Sequence, residues 1–464
     1  MDPVEITRMD AWIARKIGAT ASNPARDEIE AYQLRKMDET LRYARSKSPF
    51  YRTRLSRDGD TELSSVADLA RLPFTTAADL RCNGLQLLCV SQGEIERVVT
   101  LQTSGTTSEP KRLYFTRDDQ ELTLDFFQVG MSTFVGAGER AMILLPGERP
   151  GSVGDLLAAA LRRMNVEPIP HGPVKDVSRA LDILVQDRID SLVGMPAQLL
   201  WLARAGEAIG KVPPRVRSVL LTADYVPPAI LREIQRIWGC EPFEHYGMTE
   251  MGLGGGVECH AHEGYHVREA DLYLEIVDPG NGRQLPDGES GEVVVTTLTR
   301  RGMPLIRYRT GDISRFIPGP CPCGTSLKRL ERVRGRLDDG VRLGDGNLLS
   351  MADLSDALFP MRGLLGFTAA VTGGLEGDAL RIEATCVEGV DSEVTAGVRA
   401  ALKTIPPVAA AASAGRVELS VAVRSSDLSS IPDQGKMRIM DRRNQDSDPP
   451  RLASRTGSAG RVGA

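Results

Sequence analysis

Hydrophobic and polar positions follow different periods in different parts of this chain. Between about residues 140 and 240, short apolar runs trade places with segments of helical period. Residues 141–145, 191–194 and 217–221 are short runs of the kind that form buried strands. Residues 155–164, 177–186, 197–209 and 227–238 carry apolar side chains at three- and four-residue spacing. The last of these opens on prolines, which suit the first turn of a helix. Apolar strands alternating with helices predict a parallel sheet covered on both faces.

The flanking regions have another texture. Residues 1–60 read as polar helices, one over 31–45 that stops at Ser48-Pro49. Residues 61–100 are mixed, with a turn at Leu72-Pro73. From 264 onward the pattern is β-rich: strand 272–277, a turn over 278–282, strand 291–297. A smaller unit follows, with strands 367–371 and 379–387 around Gly373-Gly374, a helix over 393–404 and a strand over 417–423. Residues 443–464 are polar and rich in Ser, Gly, Pro and Arg, and are expected to be disordered. The expected fold class is α/β. A large multi-layered N-terminal domain, α/β sheets plus the β-rich module, spans 1–334. A small α+β C-terminal domain spans 335–442, and no internal repeat is visible.

Composition narrows the functional classes. The chain has 464 residues, with 57 Lys plus Arg against 62 Asp plus Glu, a net charge of -5. That balance excludes a generic electrostatic nucleic-acid binder and a polybasic membrane-surface protein. No apolar run reaches the ~18 residues of a membrane span. The start lacks a basic stretch followed by an apolar one, so no secretory signal is read and the cytoplasm is the expected location. Seven cysteines, an odd number, make no disulfide scaffold.

Four stretches carry chemistry. Gln102-Thr103-Ser104-Gly105-Thr106-Thr107-Ser108-Glu109-Pro110-Lys111 is a hydroxyl-rich loop that ends in lysine. It offers backbone N–H groups, hydroxyls and a point charge to a polyphosphate, although a Ser/Thr-rich surface turn fits it equally. It lacks the order of a Walker A loop. Glu244-His245-Tyr246-Gly247-Met248-Thr249-Glu250 combines an aromatic that can stack on a base with a carboxylate that can hold Mg2+; a loop around a buried tyrosine is the plainer reading. Arg307-Tyr308-Arg309-Thr310-Gly311-Asp312 reads as two guanidiniums and a carboxylate around a tight turn, or as a turn with solvated charges. Gly335-Arg336-Leu337-Asp338-Asp339 reads as a fourth element or a charged linker.

In this order the four resemble the signatures of the adenylate-forming superfamily of acyl-CoA synthetases, luciferases and carrier-loading adenylation domains. Leu41-Arg42-Tyr43-Ala44, Ser48-Pro49-Phe50-Tyr51-Arg52 and the run from Thr297 to Asp312 resemble its phenylacetate–CoA ligase-like branch. The resemblance covers about residues 30–442. It implies a carboxylate attacking the α-phosphorus of ATP, then a thiol, usually coenzyme A, displacing AMP. Thr103, Ser104, Gly105, Thr106, Thr107 and Lys111 would hold phosphates, with Thr106 and Glu250 at Mg2+. Tyr246, Gly247 and Thr249 would take adenine, and Asp312 and Arg336 the ribose. Asp338 would be the hinge of a mobile small domain. Gln434-Gly435-Lys436-Met437-Arg438 resembles the element whose lysine meets the acyl carboxylate and α-phosphate. Ser108 stands where the family carries Gly, and Asp345 stands in the altered loop 338–350, which bears on the thiol step. An acceptor other than coenzyme A, as in adenylyltransferases or carrier-loading enzymes, is the alternative. The third reading, a non-catalytic nucleotide binder, sits poorly with intact Lys111, Glu250, Asp312 and Lys436. The acid is expected to be aromatic, in a pocket between residues 126–134, 147–154, 223–226 and 252–256. The partner is this small acid, neither nucleic acid nor membrane, and a homodimer stays open as the assembly.

A further cluster stands apart. Cys259 and His266 are seven residues apart, with His260 and His262 between them, and Cys321-Pro322-Cys323-Gly324 follows. Three thiols and one imidazole make an ordinary tetrahedral zinc site; two unrelated groups of buried thiols are the alternative. With four protein ligands such a site would be structural.

Overall fold

A computed structural model describes residues 5–55, 63–101, 109–344, 346–374, 377–426, 428, 431 and 436–443. The helices α1 (Met9–Ile17), α2 (Arg26–Lys47), α3 (Pro49–Arg54) and α4 (Ala77–Asn83) lead into an antiparallel hairpin, β1 (Ile95–Leu101) and β2 (Lys111–Thr116). Helix α5 (Arg117–Met131) starts on a capping box: Thr116 Oγ1 accepts the Asp119 N–H at 3.1 Å, and Asp119 Oδ2 accepts the Thr116 N–H at 3.0 Å.

The alternating half forms β3 (Arg140–Ile143), α6 (Val153–Arg163), β4 (Glu167–Pro170), α7 (Val177–Gln186), β5 (Ser191–Gly194), α8 (Pro196–Ala208), β6 (Ser218–Leu221), α9 (Pro228–Trp238) and β7 (Glu241–Tyr246). These strands pair in parallel in the order β7-β6-β5-β3-β4. Strands β5 and β6 are buried throughout, as non-alternating apolar runs require. The short β8 (Gly256–Val257) and β9 (Tyr265–Val267) extend the sheet antiparallel beyond β7.

A second sheet follows: β10 (Leu272–Val277), β11 (Gly291–Thr297) and β12 (Tyr308–Ser314), all antiparallel. After β13 (Arg329–Leu330), which closes the edge of the first sheet on β9, β14 (Gly335–Arg336) pairs with β12, Arg336 opposite Asp312. Then come β15 (Val341–Arg342), β16 (Leu348–Leu349), α10 (Met351–Leu358), β17 (Leu364–Gly373), β18 (Asp378–Cys386), α11 (Asp391–Leu402), α12 (Pro406–Ser413), β19 (Val417–Ser425) and β20 (Ile439–Asp441). The last sheet runs β19-β18-β17-β20. The expected α/β class with a smaller α+β unit is what the chain adopts.

Two packing features place the site. One apolar cluster joins α7, α8 and α9 to the small unit, with Trp201, Leu354, Phe359 and Leu364 all buried. Arg204 on α8 crosses the boundary, donating to the carbonyls of Phe359 at 3.1 Å and of Leu364. At the other end, the N-terminal helices are tied to distant chain. Asp10 accepts from Thr325 at 2.7 Å, Lys16 meets Asp271 at 2.9 Å, and Arg26 meets Glu269 at 2.8 Å. Gln33 donates to the Glu269 carbonyl at 3.0 Å.

Candidate active site and metal centre

Strand β2 opens on Lys111, whose ammonium contacts Glu250 Oε1 and lies 3.3 Å from the Tyr308 hydroxyl. Tyr308 donates to the same Glu250 oxygen at 3.2 Å. Glu250 and Tyr308 are both buried, so this small network of charges is shielded from water. Glu250 sits in a single 3-10 turn, Thr249–Met251, just beyond β7. Gly247 permits that turn, because a β-carbon there would fall 2.3 Å from the Leu253 carbonyl oxygen. Arg300 donates to the Glu250 carbonyl at 2.8 Å and holds the turn from below.

A second network lies beside the first. The Tyr246 hydroxyl donates to Asp312 Oδ2 at 2.8 Å, and Arg336 Nε is 3.1 Å from Asp312 Oδ1. Burial pushes the Asp312 carboxyl up, while Arg336 and the Tyr246 hydrogen bond pull it back toward the charged form. Tyr308, Thr310 and Asp312 share the buried face of β12, which is how one strand serves both networks. Lys436 is exposed, and its charge acts on Asp312. Asp338 is exposed two residues after β14.

Lys111, Tyr246, Gly247, Thr249, Glu250, Asp312 and Arg336 are therefore brought together, with Lys436 within electrostatic reach. Thr103, Ser104, Gly105, Thr106, Thr107, Ser108 and Asp345 lie outside the described residues. The expected cluster of guanidiniums around a turn is corrected. Residues 308–314 are a strand, Arg307 is clamped on Glu275 at 3.0 Å, and Arg309 turns to Glu292. Both arginines hold the second sheet together and neither points at the site. Tyr308 and Arg300 are the residues that the sequence reading passed over.

Two of the four segments expected around the acyl group, residues 126–134 and 252–256, converge on His245, at the carboxyl end of β7. Its Nδ1 is 3.0 Å from Thr222 Oγ1, and its ring meets Phe126 and Phe127 at centroid distances of 6.0 and 6.5 Å. A β-carbon on Gly254 would lie 3.4 Å from His245 Nε2, a buried nitrogen without a hydrogen-bond partner among the described residues. Burial, helped by Arg268, lowers the His245 pKa to about 4, so the ring is neutral at physiological pH. In residues 147–154, Val153 packs on the apolar cluster that holds Phe126 and Phe127, and a β-carbon on Gly151 would meet Gln120 and Arg97.

The expected cysteines and histidine form a compact candidate metal centre. Cys259, His266, Cys321 and Cys323 are all buried, and their ligand atoms lie within 4.8 Å of one another. Cys259 Sγ is 3.8 Å from Cys321 Sγ, and His266 Nε2 is 3.3 Å from Cys259 Sγ and 3.6 Å from Cys323 Sγ. Tetrahedral zinc with ordinary bond lengths sets ligands about 3.5–3.8 Å apart. His260 and His262 turn away to Glu241, at 3.0 and 2.9 Å. The imidazole of the set is thus His266.

Comparison with known proteins agrees with this geometry. A family model described as AMP-binding enzyme matches residues 65–299. The phenylacetate-coenzyme A ligase of Aromatoleum evansii is 30% identical over 334 residues, covering 70% of this chain and 74% of that protein. The enzyme of the same name from Thermus thermophilus is 30% identical over 328 residues, covering 68% and 72%. In fold, the chain is similar to 2-hydroxyisobutyryl-CoA ligase in the postadenylation state with 2-HIB-AMP, at a TM-score of 0.76, 22% identity and 90% of each chain. The same ligase with CoA in the thioesterification state gives a TM-score of 0.65 over 91% of each chain, also at 22% identity. With the sheet order, the two hydrogen-bonded networks and the matches in hand, the chain belongs to the AMP-binding, adenylate-forming enzymes, in the branch of the phenylacetate–coenzyme A ligases.

Proposed function

We propose that this chain activates an aromatic carboxylic acid with ATP and passes the acyl group to coenzyme A. As a member of its branch it is an AMP-forming acid–CoA ligase, working through an acyl-adenylate. The observation that supports the residue assignment is the pair of hydrogen-bonded networks, Lys111–Glu250–Tyr308 and Tyr246–Asp312–Arg336, set side by side at the end of β7.

In the first step a carboxylate oxygen bonds to the α-phosphorus and the bond to pyrophosphate breaks. The protein contributes alignment and charge rather than covalent help. Lys111 and Glu250 neutralise one another in the free site. An incoming triphosphate, cradled by residues 103–107, offers the ammonium a phosphate partner instead. Glu250 and Thr106 would hold Mg2+, which neutralises phosphate charge when bound. Asp312 accepts the ribose hydroxyls, with Arg336 keeping it ionised, and Tyr246 and its neighbours flank the base. Lys436 neutralises the α-phosphate as the two anions meet. The small unit, residues 335–442, then turns about Asp338, and coenzyme A takes the acyl group. That turn requires the contacts between Arg204 and the Phe359 and Leu364 carbonyls to part.

Cys259, His266, Cys321 and Cys323 would hold one Zn2+, which cross-links β8, β9 and the 321–323 turn. With all four positions filled by protein, its contribution is to folding. None of the seven cysteines is in a disulfide, which suits the reducing cytoplasm. No helix among the described residues is long and apolar enough to cross a membrane.

The test is ATP–pyrophosphate exchange across a panel of aromatic and aliphatic acids, followed by AMP release with and without coenzyme A. Exchange is expected only with Mg2+ and an aromatic acid, and AMP release only with coenzyme A added. Silence across the whole panel would refute the activity. AMP release independent of coenzyme A would point to another acceptor.

A further inference from the structure

Two consecutive residues after β6 hold the small unit at two separate points. Ala223 has a φ of +71°, a left-handed conformation that costs energy in any residue with a β-carbon. Beyond this reversal, Asp224 Oδ1 accepts its neighbour's N–H, that of Tyr225, at 2.9 Å. Asp224 Oδ2 accepts the backbone N–H of Met437 at 3.0 Å. The Tyr225 hydroxyl donates to Asp356 of α10, at 2.9 and 3.1 Å from its two oxygens. Arg334 completes that second point, 2.6 Å from Asp356 and with its guanidinium 5.8 Å from the centre of the Tyr225 ring.

Met437 directly follows Lys436, so the bond to Asp224 fixes the backbone from which the lysine side chain extends. The same carboxylate feels the Lys436 charge and that of Asp339. Lys436 is otherwise exposed, on a long stem with several free rotors that must be ordered for it to act. A backbone anchor one residue away lowers the cost of that ordering for one particular direction, toward Asp312.

We propose that Asp224 is the positioning residue for Lys436: it docks the Met437 N–H, aims the lysine into the site for adenylation, and must release it for the thiol step. The function assigned to Lys436 rests on the reading above, but the docking does not. In adenylation the new bond joins the carboxylate oxygen to the α-phosphorus and the broken bond frees pyrophosphate. Both anions crowd where Lys436 is aimed. A misplacement of about 1 Å there costs up to about 10²-fold in rate.

The docking is tested first without substrate. Hydrogen exchange is followed in a peptide covering residues 436–441 of the full chain, in wild type, Asp224→Asn and Asp224→Ala. Both variants are expected to exchange about tenfold faster there, the scale of one lost hydrogen bond, with β17 unchanged. Unchanged exchange in the isosteric Asp224→Asn and in Asp224→Ala overturns the proposal. So does an equal rise in Tyr225→Phe, which breaks only the contact to Asp356, because protection would then come from docking of the whole unit. Kinetics follow, with phenylacetate and chemically made phenylacetyl-adenylate as probes. Asp224→Asn should lower kcat for pyrophosphate exchange while KM for ATP and the coenzyme A step hold. Equal loss in both half-reactions contradicts a positioning role. If wild type exchanges with no acid, the activity reading fails, and hydrogen exchange still decides the docking.

Discussion

The Tyr308 hydroxyl donates to Glu250 Oε1 at 3.2 Å, the oxygen that Lys111 also reaches. Tyrosine thereby fixes which edge of the carboxylate faces the lysine. Tyr308→Phe keeps the ring and its burial and removes only this bond. ATP–pyrophosphate exchange should fall about tenfold, the scale of one hydrogen bond to a charged group. Exchange kinetics equal to wild type would mean that Lys111 and the backbone suffice to place Glu250.

Lys436 should matter to one half-reaction. Lys436→Ala is expected to lower acid-dependent pyrophosphate exchange by roughly 10²-fold, as losing one preorganised electrostatic contact does. The same variant should pass premade adenylate to coenzyme A at near wild-type rate. Comparable losses in both steps would make Lys436 a structural residue of the small unit.

The thiol–imidazole centre predicts about one zinc ion per chain by elemental analysis. Cys321→Ser should lose metal and Tm together, because binding free energy at such a centre is folding free energy. His260→Ala and His262→Ala should keep the metal, since both side chains are committed to Glu241. Full zinc content in Cys321→Ser would remove that residue from the ligand set.

His245 sets a stability window in pH. Burial lowers its pKa in the folded chain to about 4, below the ordinary 6.5 of the unfolded one. Above pH 6.5 neither state is protonated at this ring and its contribution is intact. As pH falls from 6.5 toward 4 the unfolded chain takes up the proton first, and stability is lost. Tm should therefore drop more steeply over this interval in wild type than in His245→Gln. Parallel profiles for the two proteins would show that the ring titrates freely.

The regular elements were the most legible part of this chain. Residues 177–186, 191–194, 272–277 and 291–297 have the same bounds in the sequence reading and in the structure. Each carries an apolar pattern of the period its element needs and is bounded by turn-forming or charged residues, so local pattern and tertiary packing agree. Strand β12 was read as a turn because Gly311 and two charges, Arg309 and Asp312, mask its pleat. Alternation back from Asp312 would have put Tyr308 on the same face. Arg307 misled because a clamped guanidinium and a solvated one look alike in sequence. His245 carries no local signal, since its partners come from residues 126, 127 and 222, which only the folded sheet brings near.

The ties between the N-terminal helices and the far half of the chain also bear on how the protein is made. Their partners lie 236 to 315 residues downstream. At ~5–20 residues per second, a ribosome needs roughly 12–60 s to deliver them. Over that interval Asp10, Lys16, Arg26 and Gln33 lack these polar partners, while the parallel sheet can already form behind them. The large unit must therefore close as a loop around its finished centre, and α1 and α2 wait longest for their partners. In the cell this is the stage at which a holding chaperone has most to bind.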